Sequence, residues 1–156
     1  PNLLDYNFAT DDLGQVLLIV IGATLGFYLL NSFFHFRKIE WQNLKFSQII
    51  LVIFYSILFA VPEEIIFRGI IQSIIQNYVN SVLIVAIISS LIFGLAHLPN
   101  GSNGWHIADW NWGFAKITFL IGLPMSLTFA VTNSLLIPTL LHSFSIIFFI
   151  LFTKEF

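Results

Sequence analysis

Long apolar runs separated by short polar breaks dominate the chain. Residues 13–34 form the first run, long enough to cross a bilayer core of about 30 Å, with Asp11 and Asp12 ahead of it as cap and first-turn charge. A basic stretch follows at 35–46, where Arg37, Lys38 and Lys45 cluster and Trp41 reads as an interface anchor. Apolar sequence resumes over 47–61, meets Pro62, and runs helically over 63–79 to the polar break Asn77-Tyr78-Val79-Asn80-Ser81. Pro62 either kinks a continuing helix or opens a new one in its first turn. Ser81 is placed to cap a helix over 82–97, and a polar loop rich in Gly and Trp fills 98–112. A further helix over about 113–131 contains Pro124, which predicts a kink. Thr132-Asn133-Ser134 makes a turn, and a last helix starts near Pro138 and runs to about 153. The expected fold is all-α: a polytopic membrane bundle of about five hydrophobic segments. Residues 1–46 supply an N-terminal membrane helix and basic loop, and residues 47–156 the core.

Orientation follows from the loop lysines and arginines. With 47–79 as one crossing, the loop at 35–46, Lys116 and Lys154 share a side, which is then the cytoplasm. Splitting that stretch into two crossings moves Lys116 and Lys154 outside, a poorer fit. The single crossing has one difficulty: as a helix it measures about 50 Å and must tilt, kink or lie along the interface.

Composition sharpens the class. Of 156 residues, 58% are hydrophobic and 9% charged, against about 25% charged in a soluble domain. Eighteen Phe and four Trp suit a lipid-facing, interface-anchored surface, so the bilayer is the first expected partner. A net charge of −2 argues against a nucleic-acid partner, and the lack of Cys excludes disulfides, thiolate metal sites and Cys nucleophiles. Residue 1 is Pro and the only Met is Met125, which suggests a processed chain or a piece of a longer one.

Against that background Glu63, Glu64 and Arg68 stand out. Three charges at mid-membrane, unpaired, cost about 7–10 kcal/mol on insertion scales, and an intramembrane ionisable group is a functional candidate by default. Glu64 and Arg68 are spaced i, i+4 with Glu first, the favourable pairing order. Glu63 points to another face and has no local cation. The plainer alternative is an ion cluster in which both glutamates share Arg68.

The break near Asn80 lies as far after Glu63 as before His97, so an antiparallel hairpin returns His97 to the depth of Glu63. Taken alone, His97 also fits a helix C-cap. His142 lies inside the last apolar helix but, counted from the turn at 133, falls about 10 Å short of the Glu63 level unless that helix starts deeper. His106 and Asp109 lie among Trp105, Trp110 and Trp112 and read as a membrane-surface loop. Gly26, Gly69, Gly94 and Gly122 suit close helix packing. No His-Glu-x-x-His, Gly-x-Ser-x-Gly or P-loop pattern occurs.

Glu-Glu-x-x-x-Arg at 63–68, Phe-x-x-x-His at 93–97 and His142 in the final apolar helix, taken together, resemble the CPBP family of intramembrane proteases. These are the CAAX-prenyl-protease and bacteriocin-processing proteins, also called Abi proteins. The resemblance covers about 47–152 and implies a catalytic cavity within the bundle and hydrolysis there of peptide bonds in prenylated or membrane-associated proteins or peptide leaders. By that resemblance Glu63 activates a water with help from His97, His142 stabilises the oxyanion or holds the centre, and Arg68 holds Glu64. The family commonly carries Asn or Asp four residues after the last His, where this chain has Ile146, which cannot donate a hydrogen bond. Two His and one Glu make a zinc site in principle, so the resemblance leaves two options: no cofactor, or zinc on Glu63, His97 and His142. The absence of a tight i, i+4 ligand pair leans toward the former.

Two competing functions remain at the level of sequence. One is a catalytically weak CPBP-fold protein acting as an immunity factor or scaffold. The other is a small transporter subunit using Glu63, Glu64 and Arg68 as a relay, which few other intramembrane polar residues support. The compact size suits a bacterial cell membrane, with the cavity toward the cytoplasm. Substrate identity and oligomeric state have no sequence signature.

Overall fold

The computed structural model describes residues 45–100, 102, 104 and 106–152. The predicted span at 13–34, the 1–46 unit apart from its last two residues, Trp105 and Lys154 lie outside the described residues. Within them the chain is helical: α1 (Phe46–Tyr78), α2 (Val82–Ala96), α3 (Trp112–Thr132) and α4 (Leu136–Phe152), with a 3-10 turn at Ile107–Asp109.

The stretch around Pro62 is one helix, as the single-crossing reading expects, and α1 continues through the proline. Directly after the two glutamates the helix loosens into a π-helical segment, Ile65–Gln72. Nothing in the sequence reading anticipates it. Wider π turns lie close to a four-residue repeat, and Glu64, Arg68 and Gln72 are all fully buried on the inner side. Such turns occur often at functional sites.

Local chemistry explains the other ends. Ser81 Oγ accepts from the Ile84 N–H at 3.5 Å, a long version of the predicted cap. Asn111 caps α3, its side chain accepting from the Phe114 N–H at 3.0 Å, and its own N–H ties the loop back to the Leu98 carbonyl. At the other end Asn133 takes the left-handed conformation, φ 50°, and its N–H donates to the Phe129 carbonyl at 2.8 Å, closing the helix. α4 begins at Leu136, two residues before the expected start, so Pro138 falls in the first turn, where its missing N–H costs nothing.

α2 and α3 form a tight pair. A Cβ on Gly94 would stand 2.7 Å from the Ala115 carbonyl oxygen and 2.9 Å from Phe119 Cβ, so the absent side chain sets the approach of the two backbones. Phe93, Met125, Phe129, Val85 and Ala86 fill the core between the helices. α4 packs along α1. Phe54, Phe59, Leu83 and Phe144 point outward, as a lipid-facing surface requires.

α1 has 33 residues and α3 has 21, both long and apolar enough to cross a bilayer, while α2 and α4 are shorter apolar helices. Glu63 meets His97 at the end of α2, so residues 46–62 run about 25 Å past that point. The excess length of α1 therefore lies beyond the hairpin, alongside the second half of α4.

Candidate active site

Glu63, Glu64, Arg68, His97 and His142 converge where α1, α2 and α4 meet. Arg68 Nη1 donates to Glu64 Oε1 at 2.9 Å, the i, i+4 pair expected from the spacing, and both side chains are fully buried. Arg68 Nη2 also donates to the Gly122 carbonyl at 3.2 Å, and its guanidinium lies 4.4 Å above the centre of the Phe93 ring. Glu63 makes no such bond. Its Oε2 faces His97 Nε2 at 3.5 Å and His142 Nε2 at 3.7 Å. The two adjacent glutamates are thus separated in role: one is neutralised by arginine and the other is turned toward two imidazoles.

Hydrogen bonding assigns both histidine tautomers. His97 follows the last turn of α2, where its backbone N–H bonds to the Gly94 carbonyl at 3.1 Å. That tightening leaves the Phe93 carbonyl to the His97 ring, whose Nδ1 lies 2.8 Å away. A carbonyl only accepts, so Nδ1 carries the hydrogen. His142 Nδ1 lies 2.8 Å from Glu64 Oε1, an oxygen that also accepts from Arg68, and Nδ1 is again the donor. Each ring is held by Nδ1 and offers Nε2 to Glu63.

The gaps of 3.5 and 3.7 Å exceed direct hydrogen-bond length, and Glu63 Oε2 has no partner of its own. Separations of this kind suit a bridging water. The Glu63 side chain is 33% exposed, whereas His97 and His142 are 11% and 9% exposed, but the Oε2 that faces the two imidazoles is itself buried. Among the described residues no group of three or more His, Asp or Glu side chains is arranged to hold a metal ion.

The 10 Å shortfall expected for His142 does not separate it from the cluster. Phe93, one turn deeper than His97, touches both rings, with centroid distances of 4.4 Å to His97 and 5.5 Å to His142. His106 and Asp109 lie at the 3-10 turn, exposed and outside the cluster.

Several participants escape sequence reasoning. Phe93 was legible only as a motif letter, yet its ring contacts Arg68, His97, His142 and Phe67. Gln72, fully buried, donates through Nε2 to the Ser126 carbonyl at 2.8 Å, and Ser90 Oγ bonds Ser126 Oγ at 3.1 Å. The spacing 64, 68, 72 was a readable signal for Gln72. The serines carried none.

Apolar helices long enough to cross a bilayer, taken with the family match that follows, point to an integral membrane protein. The chain matches the family model described as Type II CAAX prenyl endopeptidase Rce1-like over residues 45–148, and it belongs to that family of proteases. Comparison with curated proteins and with solved structures gave no match.

Proposed function

We propose that the protein is an intramembrane endopeptidase that hydrolyses peptide bonds near the C-terminus of prenylated or otherwise membrane-associated polypeptides. The observation that carries this reading is the triangle of Glu63 Oε2 with the two Nε2 atoms. Glu63 Oε2 and His97 Nε2 can each accept a hydrogen from one water, and His142 Nε2, when protonated, faces them as a donor, so the three atoms make a seat for that water. Residues 47–156 form the catalytic core.

In the proposed reaction Glu63 accepts a proton from that water while His97 Nε2 accepts its second hydrogen bond and orients it. The oxygen attacks the scissile carbonyl, and the carbonyl electrons move onto oxygen as the tetrahedral oxyanion forms. His142 stabilises that oxyanion. Because Nδ1 is committed to Glu64, this role needs a second proton on Nε2, and the Glu64 carboxylate beside it supports the resulting cation. Collapse breaks the C–N bond, and the proton held by Glu63 passes to the leaving amine. Arg68 balances Glu64 and so holds His142 through it. Ile146 contributes no hydrogen bond to the oxyanion, which leaves His142 as the main donor.

The reading is tested with purified protein in nanodiscs and a panel of prenylated, unprenylated and membrane-tethered peptides, with and without a chelator. Cleavage of the prenylated or tethered members, unaffected by the chelator, is expected. Chelator-sensitive cleavage would replace the water-only mechanism with a metal-assisted one. A folded protein that cleaves nothing on the panel would overturn the protease reading. The cluster at the α1 N-terminal side of the hairpin is proposed to face the cytoplasm.

A further inference from the structure

One residue meets every part of the cluster except the two glutamates. The Phe93 ring lies under the Arg68 guanidinium at 4.4 Å, tilts against His97 at 4.4 Å and meets His142 edge-on at 5.5 Å with the planes at 90°. Its main-chain carbonyl takes His97 Nδ1 at 2.8 Å. Phe67 closes a further side at 5.0 Å. The ring is itself confined: a Cβ on Gly122 would stand 3.1 Å from Phe93 Cδ1 and 3.4 Å from Arg68 Nη2, so glycine on α3 leaves the space that ring and guanidinium share. Phe93 is 1% exposed, and leucine would satisfy burial there about as well.

We infer that Phe93 is a positioning residue whose aromatic face, rather than its bulk, sets the places of Arg68, His97 and His142 relative to Glu63. The negative face of the ring holds the guanidinium, and its perpendicular contact with the His142 ring is one of the favoured aromatic arrangements. Arg68 fixes Glu64, and Glu64 fixes His142 Nδ1. The ring and this carboxylate chain therefore constrain His142 from two directions. On the other side, the carbonyl and ring of the same residue constrain His97, and the i, i+4 spacing of Phe93 and His97 makes this double hold possible. Phe93 touches neither the proposed water nor a substrate and acts only through the residues it places.

The inference rests on the proposed function for its kinetic readout, so the experiment has two arms. Mono-, di- and trifluorinated phenylalanines are introduced at position 93 by suppression, which drains the ring face while nearly preserving its shape. In the first arm kcat and KM are measured on whichever peptide the wild type cleaves. Stepwise loss of kcat reaching about 3- to 30-fold, with KM within about twofold, is expected from the usual strength of a cation–π contact. In the second arm the imidazole nitrogen resonances of His97 and His142 are recorded without substrate, and both are expected to move progressively along the series. Phe93→Leu, which keeps apolar bulk and loses the face, should fall at or beyond the trifluoro end in both arms. Flat kcat together with unchanged imidazole spectra would overturn the inference, as would a kcat loss that merely tracks loss of folded protein. If the wild type cleaves nothing, the protease reading fails while the spectra still decide the positioning role: shifts sustain it, and unchanged spectra refute it.

Discussion

Adjacent glutamates in different environments should lose very different amounts of stability on the same substitution. Glu64 is fully buried, and its Oε1 accepts from Arg68 Nη1 at 2.9 Å and from His142 Nδ1 at 2.8 Å. Glu64→Gln keeps the shape but removes the charge that balances a fully buried guanidinium. Arg68 is then left with the Gly122 carbonyl, the Phe93 face and the Met125 sulfur at 3.6 Å. Breaking one side of a buried pair costs about 3–5 kcal/mol. Glu63 is 33% exposed and its Oε2 has no hydrogen-bond partner, so Glu63→Gln forfeits little and should change stability by less than about 1 kcal/mol. Chemical or thermal unfolding in one detergent, followed by near-ultraviolet circular dichroism, reads both variants. The argument is refuted if Glu64→Gln unfolds with the wild type, or if Glu63→Gln is the more destabilised of the two.

Other expectations follow from the same geometry. Gly94→Ala drives a Cβ to 2.7 Å from the Ala115 carbonyl oxygen, so α2 and α3 must part; a loss of about 1–3 kcal/mol should appear as a lower unfolding midpoint. Gln72→Leu removes one hydrogen bond, to the Ser126 carbonyl, together with an unpartnered Oε1; stability within about 1 kcal/mol of wild type and retained cleavage are expected, and loss of cleavage in a folded variant would extend the functional network to Gln72. Asn133→Gly relieves a non-glycine residue at φ 50° and should raise stability by a few tenths to about 1 kcal/mol in the same unfolding assay.

The hairpin that brings Glu63 to His97 was legible because the two residues lie equally far from one polar break, and counting alone equalises their depths. Arg68 and Glu64 were legible because i, i+4 pairing is a property of a single helix. His142 was less so: its contact depends on how α4 crosses the bundle, and rise per residue along one helix does not carry that angle. The π-helical segment left no pattern in residue type, since it reflects what the surrounding helices require of Arg68 and Gln72. Phe93 hid among eighteen phenylalanines, most of them explicable by lipid. Its role comes from what surrounds it on three other helices, which composition and spacing do not report.

The most direct test of the central claim is the turnover number of Glu63→Gln on a peptide that the wild type cleaves, measured on protein shown to be folded. An amide cannot take the proton of the attacking water, so the account predicts a fall of about a thousandfold or more, with substrate binding nearly unchanged. Turnover within about tenfold of wild type would contradict the assignment of Glu63 as the general base.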